Sequence, residues 1–542
     1  MYSIIKWIKG NRALAALIFF GAIFFFVYSW FYLATAAETA KFNSPDEAAN
    51  YFFIKNYVAN GTLKVFEPLN LTTGGMIHPR SITTVGGGYL VPGSFLGLIL
   101  IYGWIAKILT LGIVWWLTPF FSLAAVFFFH GIIKNIFDRR ITLWSAFLLL
   151  VHPAFWYYAS RGLFPNILFI SLLLAGFYFL IGHKKAKAWV LNYLDYILAG
   201  LFFGLALTVR LSEIIWVGAA LLSLFLIYRK NVKWSELIIF IFSSGVAFVP
   251  VFFYNRTIYG EPLTTAYNLG GESAAAGGTA WFVSAVKFIF PFGLEIKNVL
   301  KNFSTYFVGM FWWFAIPAAF GAAVFIKRLI AGKLDKKITA YLFFGGFVSL
   351  FLFLYYGSWF FYDNPAKEAS IGTSYVRYWL PIYILSLPLV AFTVIKLVDF
   401  IRPLKQKLFA GVLCLIFILF GVKLTFFDKN DGLAYVYKNV QEYAAIEKEV
   451  NKMISAEAVI IIDRADKIFF PEHRVVSPLR DDGTYAIIPE LAKTLPLYYY
   501  GLPLTEKELD YLYDGRINKE EIKIIEVKNF GAETLYQLEY LK

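Results

Sequence analysis

The chain has 542 residues, of which 59% are hydrophobic, 20% aromatic and only 16% charged, with a mean hydropathy of +0.62. Water-soluble domains average about 45–50% apolar and about 25% charged residues, so a soluble enzyme and a disordered chain are excluded and a polytopic membrane protein remains. The net charge of +14 conceals two opposed parts, +20 over residues 1–425 and −6 over residues 426–542; the basic excess belongs to loops between apolar runs, where it orients helices, and nucleic acid is not an expected partner.

A spanning helix needs about 20 mostly apolar residues. The first run, residues 13–36, follows Lys6, Lys9 and Arg12. It is too long for a signal peptide and lacks a convincing cleavage site, so it reads as a retained anchor with a cytoplasmic N-terminus. Further spans are expected near 113–133, 141–158, 164–182, 194–211, 214–228, 236–254, 304–326, 338–356, 376–398 and 408–425, about eleven in all. Residues 89–111 are apolar enough to cross, but Pro92, Gly93, Gly97, Gly103 and Lys107 interrupt them. If they do not cross, six basic clusters share one side, from Lys6/Lys9/Arg12 through Lys184/Lys185/Lys187 to Lys396–Lys407. The positive-inside rule favours that arrangement and predicts interfacial or re-entrant helices for 89–111 on the outer face.

Two domains are therefore expected: a membrane domain over 1–425, with long outer loops at 37–111 and 255–303, and an extracytoplasmic α/β domain over 426–542. The small-residue run Gly270–Gly278 in the second loop reads either as a mobile substrate-side loop or as a linker. In the tail, 433–454 has helical periodicity, and Ala458–Ile462 is a short apolar run of the kind that forms a buried strand. Thr505 with Glu508 makes a capping box, and Ile522–Val527 and Leu535–Tyr540 flank Asn529-Phe530-Gly531 as a hairpin. The lone cysteine, Cys414, allows no disulfide framework and no Cys-based zinc site.

The chemistry-bearing residues gather at the expected outer ends of spans. Asp46 and Glu47 follow Ser44-Pro45. They read as the first turn of a capped helix, or as a general base with a neighbour that orients it or holds a cation; the two readings are compatible. His78-Pro79-Arg80 follows: His78 as a metal ligand, a proton carrier or a satisfied loop histidine, Arg80 as a snorkelling anchor or a phosphate clamp. Gly86-Gly87-Gly88 either lets backbone approach a ligand or forms a turn. Arg161 and Asn166 flank one outer turn, Arg210 and Glu213 another, where they read as an ion pair. Arg256 ends a later span and Arg377-Tyr378 opens one. Basic residues often anchor span ends, so no single one is diagnostic; together, acids, arginines and a histidine on one face suit an anionic ligand with a reacting hydroxyl or amine.

In their order along the chain these motifs resemble the GT-C superfamily of polyprenyl-phosphate-sugar-dependent glycosyltransferases. Within it they look most like glycosyltransferase family 39, the protein O-mannosyltransferase and lipid A aminoarabinose transferase-like group. The resemblance spans residues 10–400. It rests on Asp46-Glu47 in the first outer loop, the helix end Ala59-Asn60-Gly61, His78-Pro79-Arg80, and Arg377-Tyr378-Trp379-Leu380-Pro381. There are departures: the family commonly has Lys-Pro-Pro where this chain has His78-Pro79-Arg80, and often an Asp where this chain has Asn166. The Trp-Trp-Asp signature of oligosaccharyltransferases is absent, since Phe314 follows Trp312-Trp313, which ranks that branch lower.

The resemblance implies inverting transfer of a sugar from a polyprenyl-phosphate donor to an extracytoplasmic protein, lipid or glycan. Asp46 and Glu47 would be catalytic, with Asp46 as base. Arg80, Arg377 and Arg256 would hold the donor phosphate, and His78, Tyr51, Arg161, Asn166 and Tyr378 would line the substrate. A divalent metal on Glu47 and His78 is a further expectation. The rival class is a transporter or lipid flippase, which calls for ionisable groups at mid-membrane depth and broken helices. A membrane scaffold is the third reading.

Overall fold

The computed structural model describes residues 12–182, 189–269, 293–361 and 368–541. Lys6, Lys9, the 184–187 cluster and the Gly270–Gly278 run lie outside the described residues. Each of the expected spans falls on helix. Among the described residues, eight helices are long and apolar enough to cross a membrane, or up to nine if the bent pair Arg139–Val151 and Pro153–Ser160 counts as one span. Pro165–Ile181 and Tyr193–Val209 are apolar but shorter, so the difference from eleven is one of length. The protein is multi-pass.

Chain contacts divide it into two compact units. The larger comprises 1–32, 115–249 and 272–435. Its helices begin on side-chain caps where the chain supplies them: Asp138 accepts from the backbone N–H groups of Arg140 and Ile141 at 2.8 and 3.0 Å. Pro153, which lacks an N–H, ends the helix before it, and the pair bends by 51°. Helix Trp189–Val209 lies close against Trp234–Tyr259: a Cβ on Gly200 or Gly204 would stand 2.4 Å from the carbonyl oxygen of Phe240 or Ser244. Small residues permit such approach where apolar solvent gives helices no hydrophobic drive to associate.

The smaller unit comprises 33–114, 250–271 and 436–542. Its first segment carries helix Pro45–Asn60 and three short strands, β1 (Val65–Phe66), β2 (Ile82–Val85) and β3 (Tyr89–Pro92), in an antiparallel sheet of order β1-β3-β2. Gly86-Gly87-Gly88 is the turn between β2 and β3, with φ +80° at Gly87 and Gly88. The helices expected across 89–111 do not fill that stretch: Tyr89–Pro92 is a strand, the α-helix runs Gly97–Ile108, and a 3-10 turn begins at Leu111. Pro92 has no N–H to continue a ladder, so it ends the strand.

The tail of this unit folds as helix Leu433–Val450 and a five-stranded sheet: β4 (Val459–Ile462), β5 (Arg474–Val476), β6 (Leu497–Gly501), β7 (Ile522–Asn529) and β8 (Thr534–Tyr540), in order β5-β4-β6-β8-β7. β4 runs parallel to both neighbours and is buried along its length, as its unbroken Val-Ile-Ile-Ile sequence requires. Helix Glu506–Tyr513 opens on the Thr505/Glu508 capping box. Ile77, from the first segment, pairs with Val476 on the edge strand β5. Its side chain is buried in the same core as Val459, Ile461, Val476 and Ile488. The two segments thus share one hydrophobic core.

Truncating Ile77 removes a buried side chain from that core. Ile77→Ala is expected to destabilise the unit by about 2–5 kcal/mol, read as a lower unfolding midpoint of the detergent-solubilised protein; an unchanged midpoint contradicts the shared core.

Candidate active site

The candidates fall into two groups, one in each unit. In the smaller unit, Ser44 caps helix Pro45–Asn60, its Oγ accepting from the Asp46 N–H at 3.3 Å, with Pro45 at the first helical position. Asp46 and Glu47 occupy the first turn, where the helix dipole favours acids. Asp46 is half-buried and Glu47 buried. The Ser81 hydroxyl donates to Asp46 Oδ1 at 2.6 Å. Ser81 was not singled out from the sequence. It is the third residue of a turn closed by the Ile82 N–H on the Pro79 carbonyl at 3.3 Å, and its φ of +62° lies in the left-handed region that non-glycine residues seldom take. Gly93 holds the turn from the other side. Its N–H donates to the Ser81 carbonyl at 3.0 Å, and a Cβ there would stand 2.7 Å from that oxygen.

His78 is half-buried, with Nδ1 3.0 Å from the Pro79 carbonyl oxygen. Arg80, expected on a donor phosphate, pairs with the buried Asp466. Nε and Nη2 donate to Oδ1 at 3.1 and 2.6 Å, the Arg80 backbone N–H donates to Oδ2 at 3.1 Å, and Nη2 also reaches the Arg464 carbonyl at 2.9 Å. Tyr51 packs against Phe42, and burial raises its phenol pKa. Arg256 is exposed on the last turn of helix Trp234–Tyr259. The end of that helix is joined to the Asp46 helix through Tyr254, which donates to the Tyr57 hydroxyl at 3.1 Å, and to β3 through Tyr259, which donates to the Pro92 carbonyl at 2.9 Å.

Among the described residues no three His, Cys, Asp or Glu side chains converge to hold a metal ion. Glu47 and His78, the two candidate metal ligands, are therefore not part of any such three-residue cluster among the described residues.

In the larger unit, Arg161, Asn166, Arg377 and Tyr378 come together. Arg161 is buried, donates to the Tyr157 hydroxyl at 2.7 Å, and sits 5.0 Å over the Phe164 ring. Arg377 lies over the same ring at 5.6 Å and over Tyr378 at 5.0 Å, and it donates to Ser374 Oγ at 2.7 Å. Arg210 faces Tyr378 at 4.7 Å. Arg210 and Glu213 form a buried ion pair; Glu213 also accepts from the Tyr356 hydroxyl at 2.8 Å and from the Trp216 indole. Asn166 donates to the Arg377 carbonyl at 3.4 Å, and among the described residues no donor reaches its buried Oδ1. Three guanidiniums are thus gathered around two aromatic faces, an arrangement that stabilises cations away from water and presents an anion with planar donors. Trp216 also lines a largely apolar cavity of about 710 Å³, with Phe177, Phe240 and Ile384, and with Tyr228 and Lys337 among its polar members.

The smaller unit carries one further charge cluster. Lys41 is buried between Glu447 at 2.6 Å and Glu472 at 2.8 Å. One ammonium serves two carboxylates. Burial, outweighing Lys41, pushes Glu447 up to about 7. Burial acts on Glu472 as well, but there the Lys41 charge and hydrogen bond win and hold it below the usual carboxylate range.

No protein-family model matches the chain, and no curated protein matches it in sequence. Solved structures do match. The apo oligosaccharyltransferase of Archaeoglobus fulgidus aligns over 99% of this chain and 75% of its own, at TM-score 0.54 and 11% identity. AglB from the same organism, in complex with an inhibitory peptide and a dolichol-phosphate, aligns over the same shares at TM-score 0.53 and 10% identity. ArnT from Cupriavidus metallidurans, in the apo state, aligns over 98% of both chains at TM-score 0.49 and 10% identity. The chain has the GT-C fold of membrane glycosyltransferases. At these identities the likeness is one of fold.

The Lys41 cluster gives a signed pH dependence. A carboxyl whose pKa is raised by folding binds its proton more tightly folded than unfolded, so stability falls as pH climbs from about the ordinary 4.5 towards about 7 and levels off above. Glu472 acts oppositely, costing stability as pH drops below its ordinary value. The unfolding midpoint is therefore expected to fall between pH 5 and 8, and Glu447→Gln to flatten that fall. The same slope in the variant contradicts the assignment.

Proposed function

We propose that the protein is a membrane glycosyltransferase that moves a sugar from a polyprenyl-phosphate donor to an extracytoplasmic acceptor (protein, lipid or glycan) with inversion at the anomeric carbon. The observation that carries this reading is the GT-C fold over nearly the whole chain, with Asp46 half-exposed at a helix start and gripped by Ser81. AglB, solved with dolichol-phosphate and a peptide, supports a lipid-linked donor and an acceptor of that kind. In this reading the basic loops are cytoplasmic, with the N-terminus inside and the tail outside.

In the reaction proposed, the Asp46 carboxylate takes the proton of the acceptor hydroxyl or amine. The freed electron pair forms the new bond to the anomeric carbon. The bond from that carbon to the phosphate oxygen breaks, and the oxygen leaves with its electrons as polyprenyl phosphate. Glu47, buried beside the base, orients it. The leaving charge needs fixed cations, and Arg377, with Arg161 and Arg210 gathered near it, is the arginine assigned to it; Arg80, committed to Asp466, is assigned less of that role than its sequence position suggests. Arg256 is the exposed reserve for the same phosphate. Tyr51, His78, Asn166 and Tyr378 are assigned to the sugar and acceptor. The apolar cavity suits the isoprenoid tail, which gains by leaving water as any apolar surface does.

The test is sugar transfer by purified protein from a panel of radiolabelled polyprenyl-phosphate sugars to an envelope extract. Asp46→Asn, which keeps shape and removes the base, is expected to lose about 10²–10⁴-fold in rate while donor binding persists. Arg377→Gln is expected to lose about 10²–10³-fold. Equal transfer by Asp46→Asn removes it from the mechanism; no transfer by the wild type, with lipid movement in vesicles instead, replaces the reading with a flippase.

A further inference from the structure

Two adjacent tail residues hold both strands of chain that deliver the Asp46–Ser81 pair. Lys467 donates to the Asn43 carbonyl at 3.1 Å, three residues ahead of Asp46. The Asn43 side chain accepts from Tyr443 at 3.2 Å and Asn439 at 3.3 Å, both on the tail helix Leu433–Val450. Asp466 accepts the Arg80 backbone N–H and its guanidinium, one residue ahead of Ser81. The segments so held are 35 positions apart in sequence and meet at the Ser81–Asp46 hydrogen bond.

We infer that Asp466 and Lys467 are positioning residues for Asp46, so that the tail builds the base rather than only packing beside it. This rests on the glycosyltransferase reading above. General attachment of the tail is supplied elsewhere, by Ile77 in its core, by Lys41 between two glutamates, and by Arg474 on Glu67 at 3.1 Å. Asp466 differs because it grips a backbone N–H inside the turn Pro79–Ile82. That fixes the Pro79–Arg80 peptide, and with the guanidinium bonds it holds Arg80 at both backbone and side chain, so the residue next to Ser81 cannot swing and Ser81 keeps the left-handed φ that goes with its hydroxyl reaching Asp46. Without that grip the turn is free to relax to the negative φ that serine prefers, and Ser81 turns away. Asp466 is itself buried, so it cannot trade this contact for water without cost.

The test uses full-length protein in detergent and the variants Asp466→Ala, Ser81→Ala and the pair. Asp466→Ala is expected to lower kcat by up to about 10²-fold, the scale of a small misplacement, with KM for the donor unchanged. The double variant is expected to fall no further than the worse single, because both act through one contact. Hydrogen exchange is expected to show loss of protection at amides 43–50 and 78–82, with β4 and β6 as protected as in wild type. Additive losses, a rise in KM matching the fall in kcat, or unchanged exchange at those amides overturns the inference. Exchange also decides it without turnover: a wild type that transfers no sugar counts against the glycosyltransferase reading, while protection at 43–50 and 78–82 still judges the positioning.

Discussion

A serine held at φ +62° is the constraint on which the smaller unit turns. The conformation is costly for a residue with a Cβ, of order 1–3 kcal/mol, and it persists because the surroundings over-determine it. Asp466 grips the Pro79–Arg80 peptide and the Arg80 side chain, Ile82 closes the turn, and Gly93 approaches the Ser81 carbonyl too closely for any side chain. The result is a hydroxyl aimed at a carboxylate on a different element. Ile77 buried in the tail's core explains how a loop can carry such strain: the chain just ahead of the turn is anchored in a hydrophobic core and bridged to Val476.

The larger unit solves a different problem, which is to keep cations in apolar surroundings. Arg161, Arg210 and Arg377 each lie over an aromatic ring, and Phe164 and Tyr378 each serve two of them. Ring faces offset part of the lost hydration, and Glu213 neutralises one charge. Such an arrangement is preorganised. Its donors need not be gathered from water when an anion arrives, which is what makes fixed charges effective in stabilising a leaving group. The apolar cavity lined by Trp216 lies in the same unit.

Much of this was legible in the sequence because the signals are local. Apolar runs marked the helices, Ser44-Pro45-Asp46-Glu47 marked a helix start, and Thr505/Glu508 and Asn529-Phe530-Gly531 marked a cap and a hairpin. What stayed hidden depends on distance along the chain. Arg80 finds Asp466 across 386 positions, so nothing beside Arg80 announces an ion pair rather than a phosphate. β3 was read as helix because its apolar side chains match either period over so short a run. Helix Asp482–Thr494 carries an internal Pro489 that argues against it locally, and β5 is only three residues long. Ser81 was passed over because its importance lies in a backbone angle, which no residue type reveals.

The central claim is that a sugar leaves a lipid phosphate with inversion, and the products report on it directly. Transfer from a donor of known anomeric configuration, followed by nuclear magnetic resonance of the glycosylated acceptor and mass spectrometry of the released lipid, is the decisive measurement. The account predicts the opposite anomer in the product and one polyprenyl monophosphate for each sugar transferred. A retained anomer, or release of a lipid pyrophosphate, contradicts it.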